Sequence, residues 1–246
     1  MKDWVAWHAA YDDPASHLSA RLRRVQAHLR QAIDRASAGS LRLVSLCAGQ
    51  GHDVLSVLAD HPRRGDINPV LIESDPRNVE LARSRAQAAG LPQVDIRQAD
   101  ASRVSGFADA LPADILLLCG IFGNVSDADI RRTVEAAPAL CAPGGTVIWT
   151  RHRRPPDLTP QIRAWFAAGG FDEVAFDALD TVTATGVGVH RRRLTAATRP
   201  AGARAAGGPD SADQSGGPDG AGTGQPDGLP GAALFTFRSA AGPTDS

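Results

Sequence analysis

Val44-Ser45-Leu46-Cys47-Ala48-Gly49-Gln50-Gly51-His52-Asp53 sets the fold class of this chain: a short apolar strand runs into a turn of small residues, and a helix starts almost at once. A turn built from Ala and Gly lets backbone N–H groups approach a ligand that larger side chains would hold off. Outward from it, a second strand at 69–73 closes on Glu73, twenty-two residues after Gly51. In a parallel sheet an acid at that strand tip stands beside the turn, its carboxylate exposed and within reach of both hydroxyls of a ribose. Turn and acid together read as a site for an adenosine-type nucleotide.

The order of elements extends the pattern. Upstream, Asp13-Pro14 reads as N-cap and first residue of an amphipathic helix in which Leu18, Leu22, Val25, Leu29 and Ile33 recur every three or four positions. The first strand covers 41–46 and a helix 51–60, and Asp75-Pro76 opens another helix that runs through Ala89 to Gly90. A third strand at 94–98 leads to Asp100. A fourth at 114–119 is a nearly unbroken apolar run, suited to a central parallel strand covered on both faces. Ser126 then caps a helix carrying Ile130, Val134 and Leu140, Gly144-Gly145 turns the chain into a fifth strand at 146–150, and Thr159-Pro160 opens a helix closed by Gly169-Gly170. The segments 171–176 and 234–237 read as two final strands, an antiparallel pair at the sheet edge, with 187–190 in the same region. The whole predicts an α/β fold: a doubly wound, mostly parallel seven-stranded sheet with helices on both faces and an antiparallel last strand.

Between those last strands, fifteen of the thirty-three residues of 199–231 are Gly or Pro, and the segment has no aromatic side chain. It cannot bury enough surface to offset its ordering entropy, so it reads as a disordered loop. The expected organisation is an N-terminal segment and helix over 1–40, an α/β domain over 41–198, the low-complexity loop, a final strand at 232–238 and a flexible tail at 239–246.

Composition narrows the function classes. A chain of 246 residues suffices for one sizeable domain. A net charge of −1 supplies no bulk field toward nucleic acid or anionic membrane. No stretch approaches the ~20 apolar residues of a membrane span, and Met1-Lys2-Asp3-Trp4 opens no signal-peptide core. Cys47, Cys119 and Cys141 lack metal-ligand spacing and read as reduced thiols of a cytoplasmic protein; no metal is expected.

With the strand order laid out, the chain resembles the class I S-adenosylmethionine-dependent methyltransferases over roughly 41–151, and plausibly through 237. That family's first motif is a strand, an acid and a Gly-x-Gly-x-Gly turn; here Gly49 and Gly51 match, while Ser45 stands at the acid and Cys47 at the first glycine. Asp53, just inside the helix, is a candidate replacement carboxylate. Glu73-Ser74-Asp75-Pro76 matches the acid that closes the second strand, Asp100-Ala101 the pair that brackets the adenine, and the strand ending in Cys119-Gly120 the fourth motif. Pro143-Gly144-Gly145-Thr146 resembles the turn before the fifth strand. The resemblance implies S-adenosylmethionine as cofactor, held by Cys47, Ala48, Gly49, Gln50, Gly51, Asp53, Glu73, Ser74, Asp100, Ala101, Cys119 and Gly120. A sulfonium carries its own activated methyl, so the protein must chiefly align the acceptor, and a general base is needed only where the acceptor is protonated.

In this family the loop after the fourth strand lies over the methyl group. Here it reads Cys119-Gly120-Ile121-Phe122-Gly123-Asn124-Val125, without the Asn/Asp-Pro-Pro-aromatic run or the Pro-Cys pair of enzymes that methylate bases. A small-molecule acceptor is therefore expected, and neither nucleic acid nor membrane. Phe122 either lines the acceptor pocket or packs under the loop; Asn124 either orients a carbonyl or hydroxyl or caps the turn ahead of Ser126. The N-terminal segment is a lid in many members, which would let Tyr11 close over the cofactor and His8 take a proton; the alternative is an aromatic staple for the first helix. Arg151 in Arg151-His152-Arg153-Arg154 either attracts an anionic acceptor or lies in a solvated loop. Catalytic residues are not assignable beyond the candidates His8, Tyr11 and Asn124. Two other functions compete: a non-catalytic domain that keeps the S-adenosylmethionine site for regulation, and an NAD(P)-dependent oxidoreductase, although no third glycine follows Gly51 as that fingerprint requires.

Overall fold

The computed structural model describes residues 11, 13, 15–179, 184–194 and 233–237. In chain order the elements are α1 (His17–Arg35), β1 (Leu41–Leu46), α2 (His52–Asp60), β2 (Ile67–Glu73), α3 (Pro76–Ala88), β3 (Asp95–Gln98), β4 (Ala113–Leu118), α4 (Asp127–Leu140), β5 (Cys141–His152), α5 (Thr159–Ala168), β6 (Phe171–Leu179) and β7 (Thr185–Arg192). The seven strands form one sheet in the order β3-β2-β1-β4-β5-β7-β6. β1 lies parallel to both β2 and β4, and β7 runs antiparallel to β5 and β6. The chain leaves β1 toward one side and returns at β4 on the other, so a crevice opens at the carboxyl ends of those two strands.

Each face of the sheet carries its own apolar layer. On one, Val44, Leu46, Leu116, Leu118 and Trp149 pack with Ile130 and Val134 of α4 and with Ile162 and Phe166 of α5. On the other, Leu43, Leu71 and Leu117 meet Val25, Leu29 and Ile33 of α1 and Val54 and Leu58 of α2. Strands buried on both faces explain why the sequence of β4 lacks polar alternation.

Three departures from the sequence reading are more than a residue or two at an element's end. α1 starts at His17 with Ser16 as its cap, the Ser16 hydroxyl accepting the Ser19 N–H. Asp13 instead closes a tight turn upstream, its carboxylate accepting the Ala15 N–H at 2.9 Å. β5 begins at Cys141, so Gly144-Gly145 lies within the strand, where its pairing with β4 shifts register between Ala113 and Ile115. A side chain at Gly145 would stand 2.9 Å from the carbonyls of Ala142 and Asp114, which is why the glycine is there. The antiparallel last strand is β7 and not 234–237. Its glycines, Gly186 and Gly188, weaken its strand signal, yet they make room for the rings of Phe176 and Trp149.

The segment 233–237 joins the sheet through no strand; a single bridge pairs Phe237 with Val125. Leu234 and Phe235 are nonetheless fully buried in the α4 layer. Leu234 donates to the Ser102 carbonyl at 2.9 Å and accepts from the Thr133 hydroxyl at 3.1 Å, while Thr236 N–H reaches the Asp129 carboxylate at 3.3 Å. It therefore pins α4 to the loop after β3. The loop expected at 199–231 and the tail at 239–246 lie outside the described residues. Among the described residues, no helix is long and apolar enough to cross a membrane.

Candidate functional site

The turn after β1 is built from left-handed backbone: φ is 55° at Cys47, 56° at Gly49 and 71° at Gly51. A side chain at Gly51 would also come within 2.8 Å of Leu55, so glycine is required there on two counts. Ala48 N–H donates to the Ile72 carbonyl at 2.9 Å, which ties the turn to the end of β2. Glu73 completes the join: one carboxylate oxygen accepts the Gly49 N–H at 2.8 Å and the other the Asp75 N–H at 2.9 Å. The two features singled out in the sequence thus converge. The expected exposure of the carboxylate is corrected, because Glu73 is only 8% exposed. Two backbone donors draw it in against the turn.

The remaining candidates for the cofactor surround this join. Burial pushes the Cys47 thiol well up from its ordinary range, and the charges of Glu73 and Asp100 push it further, which places all three at one spot. Asp100 is exposed, its carboxylate accepting the Ser102 N–H at 2.9 Å, and Ala101 beside it is buried. Ser74 is exposed at the start of the next turn. Gln50 is buried with its side chain turned toward α3: it donates to Asn78 at 3.3 Å and accepts from Arg85 at 3.0 Å. Only its backbone faces the turn. At the end of β4, Gly120 has φ 78°, and a side chain built there would meet nothing within 4 Å, so the space above it is open. Thr150 of β5, absent from the sequence candidates, fixes this strand tip by accepting the Gly120 N–H at 2.9 Å.

Asp53 lies in the first turn of α2 with its carboxyl raised by burial. Tyr11 comes down beside it, its ring 5.0 Å from that of His52 and its hydroxyl 2.5 Å from Nη2 of Arg21 on α1. Cys119 joins the same cluster, for its thiol is raised by burial and by the charge of Asp53. Arg21 was missed in the sequence because it is one of five arginines of α1, and only packing distinguishes the one that reaches Tyr11.

The acceptor candidates fare differently. Phe122 is fully buried, 6.0 Å from Trp149 ring to ring, and packs under the loop instead of lining the space above it. Asn124 folds the loop on itself, donating to the Gly120 carbonyl at 2.7 Å, while Ser126 alone caps α4. Arg151 lies in β5 and not in a loop; it is buried and donates to the Phe122 carbonyl, with Asp127 3.6 Å away. Its guanidinium therefore braces the loop from below. His8 lies outside the described residues.

Comparison with known proteins agrees with this architecture. Residues 44–145 match a family model described as a methyltransferase domain. Among solved structures, magnesium protoporphyrin IX methyltransferase from Synechocystis PCC 6803, solved with bound S-adenosylmethionine, superposes with a TM-score of 0.59 at 12% identity, over 76% of this chain and 89% of that one. The PH0226 protein from Pyrococcus horikoshii OT3 gives 0.58 at 12% identity, over 78% of this chain and 100% of that one. An O-methyltransferase family protein from Burkholderia thailandensis gives 0.53 at 17% identity; it is aligned over 72% of this chain, which spans only 58% of that protein's length. At these identities the likeness is one of fold. No curated protein matches the chain in sequence.

Proposed function

We propose that this chain transfers the methyl group of S-adenosylmethionine to a small-molecule acceptor; the match of residues 44–145 to a methyltransferase-domain model and the class I Rossmann-like fold support the reading. The observation that carries the reading is the hydrogen bond from Gly49 N–H to Glu73, which holds an acid against a left-handed, small-residue turn at the carboxyl edge of the sheet. An adenosine needs a carboxylate for its two ribose hydroxyls and a floor of backbone on which to lie, and both stand here. Glu73 takes the ribose, Asp100-Ala101 flank the base, and the backbone of 47–51 carries the middle of the molecule. The open space over Gly120, where an added side chain would meet nothing, fits such a ligand.

S-adenosylmethionine, when bound, supplies a methyl group already activated on a positively charged sulfur. The work left to the chain is alignment. Thr150 and Asn124 fix Gly120 and the loop beyond it, and Arg151 holds the Phe122 carbonyl from beneath, so the wall above the strand tip is rigid. Glu73, bound on both oxygens by backbone N–H groups, is not offered to the acceptor. An acceptor that is nucleophilic at neutral pH needs no more than this.

Equilibrium titration tests the reading. S-adenosylhomocysteine should bind and NADH should not; binding of NADH alone would overturn the assignment. Methyl transfer to some member of a panel of hydroxyl, amine and carbon acids is the expected second result, and tight binding with no transfer to any of them would favour a non-catalytic domain.

A further inference from the structure

We infer that residues 233–237 act as a strap whose docking is coupled to occupancy of the nucleotide site, because they join the loop proposed to flank the base to the loop over the tip of β4. The inference rests on the reading above that the site accepts S-adenosylmethionine, and it concerns the regulation of that site.

The strap is an addition to a sheet that is complete without it. β7 takes its place between β5 and β6, and residues 193–232 separate its end from Ala233. What holds the strap is local: the buried side chains of Leu234 and Phe235 and a few backbone hydrogen bonds. A short segment held in this way opens at lower cost than the sheet beneath it unfolds.

One end of the strap fixes the turn after β3. Ser102 is gripped at both of its backbone groups: its N–H donates to the Asp100 carboxylate at 2.9 Å, and its carbonyl accepts the Leu234 N–H at 2.9 Å. Ala101 packs in the same apolar cluster as Leu234 and Phe235. The other end fixes the loop after β4. Phe237 pairs with Val125 in an antiparallel bridge, and its ring meets that of Phe235 edge-on, with centres 5.5 Å apart. Ile121, Phe122 and Val125 of that loop are fully buried in the cluster that holds Leu234 and Phe235. The turn at Asp100-Ala101 and the loop that begins at Gly120 are thus linked through five residues of chain.

The middle of the strap is anchored on α4. The Thr133 hydroxyl is shared between the Asp129 carbonyl at 2.8 Å and the Leu234 carbonyl at 3.1 Å. One oxygen of the Asp129 carboxylate accepts the Thr236 N–H at 3.3 Å, and the other accepts from Nη1 of Arg132 at 2.6 Å. Burial alone would raise this carboxyl, but the Ser126 hydroxyl, the Thr236 N–H and Arg132 outweigh it and hold it below its ordinary range. The anchor is therefore charged at neutral pH.

Coupling follows from the shared walls. A nucleotide that lies from Asp100 to Gly120 touches both loops and must order them, and a docked strap has already done so. Ligand and strap then favour each other by one and the same factor, whichever arrives first.

Hydrogen exchange of the full chain, with and without S-adenosylhomocysteine, reads this factor. The Leu234 and Thr236 amides, which donate to Ser102 and Asp129, should exchange about tenfold more slowly with the ligand present. The amides of β6 that pair with β7, at the far edge of the sheet, should slow by less than about twofold. By the same linkage, a chain ending at Gly231 should bind S-adenosylhomocysteine about tenfold more weakly in calorimetric titration. The exchange measurement decides even where the shortened chain does not fold. Ligand binding with no slowing at Leu234 and Thr236, or with no more slowing there than in β6, would overturn the strap and leave the cofactor reading standing. Unchanged affinity in a folded chain ending at Gly231 would overturn it as well. If the full chain bound no S-adenosylhomocysteine, the cofactor reading would fall and the coupling with it.

Discussion

Glu73 and Gly49 are joined by a 2.8 Å hydrogen bond across twenty-four positions of chain, so the acid proposed to bind ribose also builds the turn on which the ligand would lie. Its other oxygen is held by the Asp75 N–H, which starts α3. Binding and stability are therefore coupled at this residue. Glu73→Ala leaves two backbone donors in a buried place without an acceptor and should lower unfolding free energy by about 2 kcal/mol. Affinity for S-adenosylhomocysteine should fall in parallel. Denaturant melts and titration of the same variant check both; a loss of affinity with unchanged stability would contradict the coupling.

His190 gives the fold an acid limit. It is buried between Trp149, whose Nε1 donates to its Nδ1 at 3.1 Å, and Phe166, with ring centres 4.6 Å apart. Burial lowers its pKa from 6.5 to about 4, against the opposing pull of the Glu173 carboxylate and with the help of Arg163. The unfolded chain takes up the proton first, so the native state loses its advantage as pH falls. The contribution is fully present above pH 6.5 and is lost between there and about pH 4, to a total of about 3 kcal/mol. His190→Phe, measured by denaturant melts across that window, should show a shallower pH dependence than wild type.

Gly188 touches the face of the Trp149 indole so closely that an added Cβ would overlap the ring. Gly188→Ala should cost about 3 kcal/mol, since Trp149 is fully buried among Phe122, Phe166 and Phe176 and has nowhere to move. Thermal melting reads the loss directly. A neutral result would mean that β7 can slide away from β5.

Arg151 is the buried brace of the β4 loop. Arg151→Met removes the donor to the Phe122 carbonyl and the partner 3.6 Å from Asp127. The expected loss is about 2 kcal/mol, together with faster proteolytic cutting around 120–125. If Arg151 instead served an anionic acceptor, stability would hold and only turnover would suffer.

Phe235 buries its ring in the α4 layer although its segment forms no strand. Phe235→Ala should cost about 3 to 4 kcal/mol, measured by urea melts. Replacing 199–231 with a short flexible linker should leave the melting temperature unchanged, because that composition buries little.

The alternation of strands and helices, the doubly wound class, most element limits and the convergence of turn and acid were legible in the residues of 41–151. Each rests on local rules. β1 was read at its observed limits of Leu41 and Leu46, and Asp75-Pro76 caps α3 as expected. Where the reading failed, two local signals competed or one was faint. Ser16 displaced Asp13 as the cap of α1, and glycines that make room for Trp149 and Phe176 hid β7. The apolar stretch 234–237 looked like a strand, but Leu234 and Phe235 form a buried plug and Phe237 is exposed.

The candidate site divides the same way. By itself the sequence determined that a small-residue turn and Glu73 would meet, because parallel strands put their tips on one edge whatever their side chains do. Tertiary packing alone decided which way each side chain points: Phe122 and Arg151 inward, Gln50 toward α3, Arg21 onto the Tyr11 hydroxyl. Side-chain direction depends on partners far along the chain, such as Arg85, thirty-five positions from the Gln50 it holds. No local periodicity carries that information.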